Sequence, residues 1–435
     1  MTRLLTLVLT ILVILSAPAR AKLEIQEVTS PGGIKAWLVE EHSIPFVAMD
    51  IRFRGGTSLD APGKRGAIYM MTGLLEEGAG DLDAAGFSKA AEELATSFSF
   101  DAHGDAATVT ARFLTENKAA SLDLLRSAMV EPRFDKDAVD RVRAQVISII
   151  AGDAKDPREI AQNAFDAAIY GAHPYGSAST GTEESVNLLT RDDMIAAHEA
   201  VFARDRVVVA VVGDITAEEL GATLDRLLGD LPETGAPLPP KANPIVEGGL
   251  TLIDYPAPQS VAVFGHIGIR RDDPDFFPAF VMNQVFGAGG FTSRLTDEVR
   301  EKRGLTYSVY TYLATYDLAH LIMGSVASSN SRIAEALDVI KSEWAKLASD
   351  GVTEDELIAA KKYLTGAFPL RFDGNARIAG ILAGMQLDGI PMDYIETRND
   401  QINAVTAEDI KRVAARLMRV EDLKIVVVGQ PTGLE

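Results

Sequence analysis

Arg300 and Tyr307 flank a helix stop in REKRGLTYSVY, with Gly304 between them. An Arg carries fixed guanidinium donors and a Tyr a phenolic hydroxyl, so together they suit a peptide carbonyl or the oxyanion formed from it. A packing alternative stands beside this one: Arg300 as part of a charged helix end, and Tyr307 on the same strand face as Leu305 and Val309, turned into the core. Local sequence by itself favours packing. Just upstream, FGAGGFTSRL places Gly287, Gly289, Gly290 and Phe291 in a loop that a ligand could approach closely along the backbone. The same residues also read as a helix stop followed by an N-cap at Thr292 or Ser293.

Other chemistries are removed by composition and spacing. There is no cysteine, hence no thiolate nucleophile or thiolate metal site. Of the six histidines, His42, His103, His173, His198, His266 and His320, no two fall within one helical turn, whereas a zincin helix needs two on one face with a Glu nearby. A site assembled from distant parts of the chain, such as His103 with carboxylates, stays open. No G-x-S-x-G elbow, Walker A loop or G-x-G-x-x-G follows a strand. Glu76 and Glu77 are adjacent at a helix end, where side chains point about 100° apart, so they read as solvated.

The elements that must position these residues come in two similar sets. Each half opens with β-rich segments, IKAWLVEE and PFVAMDIRF in one, LTLIDYP and SVAVFGHIGI in the other. A helix ending in glycine follows in both (RGAIYMMTGLLEEG; DFFPAFVMNQVFGAGG), then a second helix (AAGFSKAAEELAT; FTSRLTDEVREKRG), then two alternating stretches (SFSFDAHGDAATVTARFL; LTYSVYTYLATYDLAHLIMGSVAS). Amphipathic helices come next. Both halves close on a buried strand, RVVVAVVGD matching LKIVVVGQ. Between them lies the Pro- and Gly-rich stretch PETGAPLPPKANPIVEGG. The reading is an α+β protein: an N-terminal domain over 22–231, a linker over 232–249 and a C-terminal domain over 250–435. Each domain is expected to be an α/β sandwich, a mixed, mainly antiparallel sheet with helices packed on it. A functional cleft is expected between them.

Residues 1–21 read as a signal peptide, with Arg3, an apolar run and Ala19 and Ala21 as an A-x-A cleavage signal after which Lys22 would begin the mature chain. No later segment offers about 18 uninterrupted apolar residues, so no membrane anchor is expected. The formal charge is −20 and grows two units more negative once Arg3 and Arg20 are removed. Nucleic acid and anionic lipid are poor partners for such a surface. At 435 residues and 47% hydrophobic, the chain can build a large core without disulfides.

The segment GGFTSRLTDEVREKRGLTYSVY resembles the C-terminal-domain signature of the pitrilysin/insulinase-type (inverzincin) zinc peptidases. PGKRGAIYMMTGLLEEGAG, AHPYGSASTGTEESVNLLTRDDMIAAHEAVF and VVVAVVGD resemble the first half in the same order, so the likeness spans essentially the whole mature chain. The resemblance implies a half-clamshell subunit; two of them enclose a peptide-sized chamber, and an unfolded peptide adds to a sheet edge as a strand. It also places the family's H-x-x-E-H on Tyr69, Met70, Met71, Thr72 and Gly73, and the remaining metal-binding Glu near Ser148 and Ile149. None of these can hold zinc.

By the same resemblance, Arg300 and Tyr307 match the pair that holds substrate near the scissile bond, and Gly287, Gly289, Gly290 and Phe291 fall to substrate binding. The implied protein is the non-zinc subunit of a bacterial heterodimeric processing-peptidase-like enzyme. It binds no metal or cofactor itself, is inactive alone, and works in the periplasm with a homologous partner that carries zinc and H-x-x-E-H. The alternative is an inert peptide-binding or assembly-scaffold protein of the same fold, including a self-dimer.

Overall fold

The computed structural model describes residues 23–245 and 247–434; the stretch read as a signal peptide lies outside the described residues. The first half runs β1 (Gln26–Thr29), β2 (Lys35–Glu40), β3 (Phe46–Arg54), α1 (Ala67–Thr72), the short pair β4 (Gly78–Ala79) and β5 (Leu82–Asp83), α2 (Ala84–Glu93), β6 (Ser97–Ala102), β7 (Ala106–Leu114), α3 (Lys118–Val130), α4 (Lys136–Asp153), α5 (Pro157–Tyr170), α6 (Glu183–Asn187), α7 (Arg191–Val201), β8 (Val207–Gly213) and α8 (Ala217–Leu228). Its sheet has the order β1-β2-β8-β3-β7-β6, with β2 and β8 parallel and the other neighbours antiparallel.

The second half repeats this plan: β9 (Gly249–Asp254), β10 (Gln259–Ile267), α9 (Phe276–Asn283), β11 (Val309–Thr315), β12 (His320–Ser329), α10 (Ile333–Asp350), α11 (Glu354–Ala367), α12 (Asn375–Leu387), α13 (Tyr394–Ala404), α14 (Ala407–Leu417) and β13 (Lys424–Gly429). Its sheet order is β11-β12-β10-β13-β9, and β13 pairs with β9 in parallel. Read from the opposite end, this is the order β2-β8-β3-β7-β6 with the parallel pair in the same place. Five strands of the first sheet therefore have counterparts in the second, as the expected α+β repeat requires, while β1 and the β4–β5 pair have none. No helix or strand occupies 232–248 among the described residues.

Strand alternation explains how the two halves join. On β3, Val47, Met49, Ile51 and Phe53 enter a core made with helices of their own half, whereas Asp50 and Arg52 fall on the opposite face. That opposite face is covered by α12, which arrives from the second half: Ala379, Leu382 and Ala383 pack on Trp37, Val39, Ala210 and Val212. Small residues let α12 come close, and Arg52 bridges Asp50 (Nε to Oδ1, 2.8 Å) to the Gly380 carbonyl (2.9 Å). Arg54, next on the same face, reaches Asp317 and the Leu387 carbonyl.

The exchange is reciprocal. Helix α5 of the first half lays Ala161, Phe165, Ile169 and Tyr170 against Val263, Leu321, Met323, Val426 and Val428 of the second sheet. Each sheet thus has helices of its own half on one face and a helix from the other half on the second face. The second core centres on Trp344, fully buried with Phe286 and Phe264 edge-on at 5.1 and 6.1 Å between ring centroids.

Asp166 on the crossing helix α5 gives a pH signature. The Gln162 amide donates to it at 3.0 and 3.1 Å, and burial pushes its carboxyl up to about 7. A folded pKa above the unfolded carboxyl value of about 3.9 means that the folded state holds the proton more tightly, so this group removes stability as pH rises from about 4 to 7 and no more above that. Asp166→Asn should raise the melting temperature by a few degrees at pH 8, and the gain should shrink steadily on titrating down to pH 5. A gain independent of pH would mean that the carboxyl is not the cause.

Candidate functional site

The helix that would carry metal ligands is α1, and its side chains are committed elsewhere. Asp60 fixes its start by accepting hydrogen bonds from the Gly66 and Ile68 amides, both at 2.9 Å. Met70 and Met71 are fully buried in the core, and the Thr72 hydroxyl donates to the Tyr69 carbonyl at 2.9 Å. Helix α4 passes so close that a Cβ on Gly73 would touch Val142 at 3.4 Å, while Ser148 and Ile149 face outward from α4. Among the described residues no group of three or more His, Asp or Glu is placed to hold a metal ion.

The histidines are dispersed into structural tasks. His198 hydrogen-bonds the Met129 carbonyl at 2.9 Å and His266 the Ile267 carbonyl at 2.7 Å; burial pushes both pKa values below the ordinary histidine value. His42, at the surface, sits between Asp214 (2.8 Å) and Glu40 (3.2 Å), whose hydrogen bonds raise its pKa. Of the adjacent carboxylates, Glu77 is ion-paired with Arg141.

The second half presents a different surface. A cavity of about 450 Å³ is lined by Gly287, Gly290, Phe291, Thr296, Arg300 and Tyr307 together with the start of β11. The chain around it is unusual: Gln284–Ala288 and Thr296–Glu301 wind as π-helical turns, a geometry found disproportionately at functional sites. FTSRLTDEVREKRG is accordingly not the regular helix its pattern suggests. Arg300 lies in the second of these turns, its guanidinium 4.8 Å from the centroid of the Phe291 ring; among the described residues its one carboxylate contact is the neighbouring Glu301 at 3.3 Å.

Tyr307 is 86% exposed and Phe291 75%. The expectation that Tyr307 shares a buried face with Leu305 and Val309 fails, although those two are indeed buried. The Thr306 hydroxyl is held between the Ala327 carbonyl (2.5 Å) and the Ser308 amide (3.0 Å), which places Tyr307 before the regular strand begins and turns it to solvent.

The glycines divide. Gly287 is pressed on β11, where a Cβ would lie 2.2 Å from Thr311 Oγ1, so the missing side chain serves packing. Gly290 has φ +57 with open space where a side chain would be. Gly289 is outside the cavity lining, and a Cβ there would collide with the Gln284 carbonyl at 2.6 Å. The N-cap read from the sequence is also present, Ser293 Oγ accepting from the Thr296 amide at 3.3 Å.

The strand after the pair is expected from the sequence, but its residues are not singled out there as part of the site. Ser308, Val309, Tyr310 and Thr311 line the same cavity, and β11 ends its sheet, with β12 as its one strand neighbour. The Tyr–x–Tyr alternation after Tyr307 was the available signal. Asn283 from α9 anchors this strand, accepting from Thr311 Oγ1 at 2.7 Å. A guanidinium stacked on a ring, an exposed phenol and a strand edge can together hold an extended peptide by its carbonyls.

Comparison with known proteins agrees with this architecture. Residues 188–364, a span that includes every residue lining the cavity, match the family described as Peptidase M16 inactive domain. A Helicobacter pylori protein named non-peptidase homolog YmxG is 26% identical over 98% of each chain, and an uncharacterized zinc protease of Mycobacterium leprae is 28% identical over 90% of this chain and 88% of its own. The crystal structure of a peptidase M16 inactive domain from Pseudomonas fluorescens is similar with a TM-score of 0.88 and 28% identity, covering 95% of this chain and 99% of that one. That likeness covers nearly the whole chain while the H-x-x-E-H positions hold Tyr69 to Gly73, so residues 188–364 match a peptidase M16 inactive domain and the chain as a whole is similar to proteins of that kind.

Proposed function

We propose that this chain is the substrate-holding, metal-free member of a two-chain metallopeptidase in the periplasm. A homologous partner supplies zinc, its H-x-x-E-H ligands and the general base, and this chain supplies Arg300 and Tyr307. The observation that carries the reading is the exposure of Tyr307 beside an Arg300 whose guanidinium rests on Phe291, both opening into one cavity at the end of a sheet. Exposed aromatic rings gathered at one concavity mark a binding surface more than singly scattered ones do. When bound in the partner, zinc polarises the peptide carbonyl and activates water. The task of this chain is then to orient the peptide, with Gly290 and Phe291 beside it, and to donate to the carbonyl oxygen as it gains charge.

Export rests on residues 1–21 alone, and fractionation of cells expressing the full chain and a form starting at Lys22 tests it directly. For the division of labour, the purified chain is mixed with a zinc-bearing M16 relative from the same genome. Peptide hydrolysis should arise from the mixture and not from this chain, disappear with a chelator and return with zinc. A stable self-dimer that ignores such a partner, leaving its activity unchanged, would instead establish the inert scaffold reading.

A further inference from the structure

A second cavity, of about 620 Å³, opens away from the Arg300–Tyr307 site, among the segment after β10, the β11–β12 turn, the linker and the start of α13. Its volume is in the range of small-molecule sites. Arg271 forms its most organised wall: the guanidinium lies 4.2 Å from the Phe276 ring centroid and 5.2 Å from that of Tyr394, and it donates to the Tyr394 hydroxyl at 2.8 Å. No carboxylate lies within salt-bridge distance of it among the described residues. A guanidinium fixed by rings and a hydroxyl, with donors to spare and no carboxylate in direct contact, is suited to receive a carboxylate.

The charges around it sort into closed and open ones. Arg270 is closed by Asp272, with Nε to Oδ1 at 2.8 Å, and Asp317 by Arg54. Without an ion pair among the described residues are Arg271 and Lys241 on the positive side and Asp388 and Asp393 on the negative, all lining the cavity. Burial pushes the Asp388 carboxyl above its ordinary range even though its outer edge meets solvent, and Arg271 is the largest charge opposing that shift. A simple anion would satisfy Arg271 and leave Asp388 repelled; a simple cation would do the reverse.

We propose that this cavity binds a small zwitterion with an apolar side chain, a free amino acid or short peptide, its carboxylate on Arg271 and its ammonium on Asp388. The phenyl and phenol walls at Phe276 and Tyr394 take the side chain. Nothing in this assignment depends on the role given to Arg300 and Tyr307.

The test is thermal melting and calorimetric titration of the purified full-length chain with phenylalanine, alanyl-phenylalanine, the C-terminal amide of that dipeptide and its N-acetyl form. One or both zwitterions should raise the melting temperature by a few degrees at millimolar concentration, and the tighter of the two identifies amino acid or peptide. Each blocked form should bind about tenfold or more weaker, the usual scale for a lost hydrogen bond between charged groups. Arg271→Gln should abolish the discrimination between acid and amide. Asp388→Asn, whose side chain makes no fold-bearing hydrogen bond, should abolish that between amine and acetamide. Equal binding of blocked and free forms, unchanged titrations in both variants, or no binding of either zwitterion would overturn the proposal.

Discussion

Replacing Arg300 by Ala in a reconstituted pair of this chain with the proposed zinc-bearing partner should lower kcat by about 10²–10³-fold, the usual effect of removing one donor to a developing oxyanion. Assembly should be unaffected, because Arg300 makes no buried ion pair and its contacts are the Phe291 ring and the adjacent Glu301. Tyr307→Phe retains the exposed ring and removes the hydroxyl alone, so its effect should also fall on kcat. Tyr307→Ala removes the ring as well and should raise KM in addition. This split separates a group that acts on the reacting carbonyl from one that simply covers substrate. Turnover at the wild-type level in both Arg300→Ala and Tyr307→Phe, with the complex intact by gel filtration, would sink the assignment. Neither variant should melt differently from wild type, since neither side chain is buried.

Phe165→Ala should be among the most destabilising single changes in the molecule, at about 3–5 kcal/mol, and the damage should fall on the other half of the chain. Phe165 is fully buried, but its neighbours are Val263, Leu321, Met323, Val426 and Val428, all of the second sheet. Gly265 on β10 leaves the slot the ring fills: a Cβ there would lie 3.2 Å from Phe165 Cζ. Truncation therefore opens a cavity between α5 and a sheet whose strands lie about 100 or more residues away, and the cost is the lost transfer of the ring plus the void left behind. Urea unfolding gives the free-energy change. Amide exchange should show faster opening in β10, β12 and β13 than in β3 and β7. Loss of protection confined to the first half would mean that α5 is dispensable to the second sheet, contrary to the packing described.

Much of this architecture is written in local pattern. The apolar runs of β8, β10 and β13 are legible because a strand buried on both faces must be largely apolar and β-branched. Thr190 and Thr406 cap the two helices, α7 and α14, that lead into the closing strands, each accepting from the amide three residues on. The lack of an H-x-x-E-H ligand set is legible too. A ligand needs a particular atom, and neither Tyr69, Met70, Met71, Thr72 and Gly73 nor a chain without cysteine can supply the set.

Tertiary structure decided what those faces meet. The apolar faces of α5 and α12 can be read as faces, but one amphipathic helix is much like another, and the sequence does not say that each covers the sheet of the opposite half. That choice depends on shape: Gly380 and Gly384 near Arg52, and Gly265 beneath Phe165. The same holds at the site. Alternation put Tyr307 in the core with Leu305 and Val309, and one long-range hydrogen bond, Thr306 to Ala327, turned it outward. Sequence by itself determined which atoms this protein has and which it lacks, because atom types and local periodicity are local properties. Whether Arg300 and Tyr307 share a cavity, and whether a helix serves its own half or the other, was fixed only when segments far apart in the chain were packed against one another.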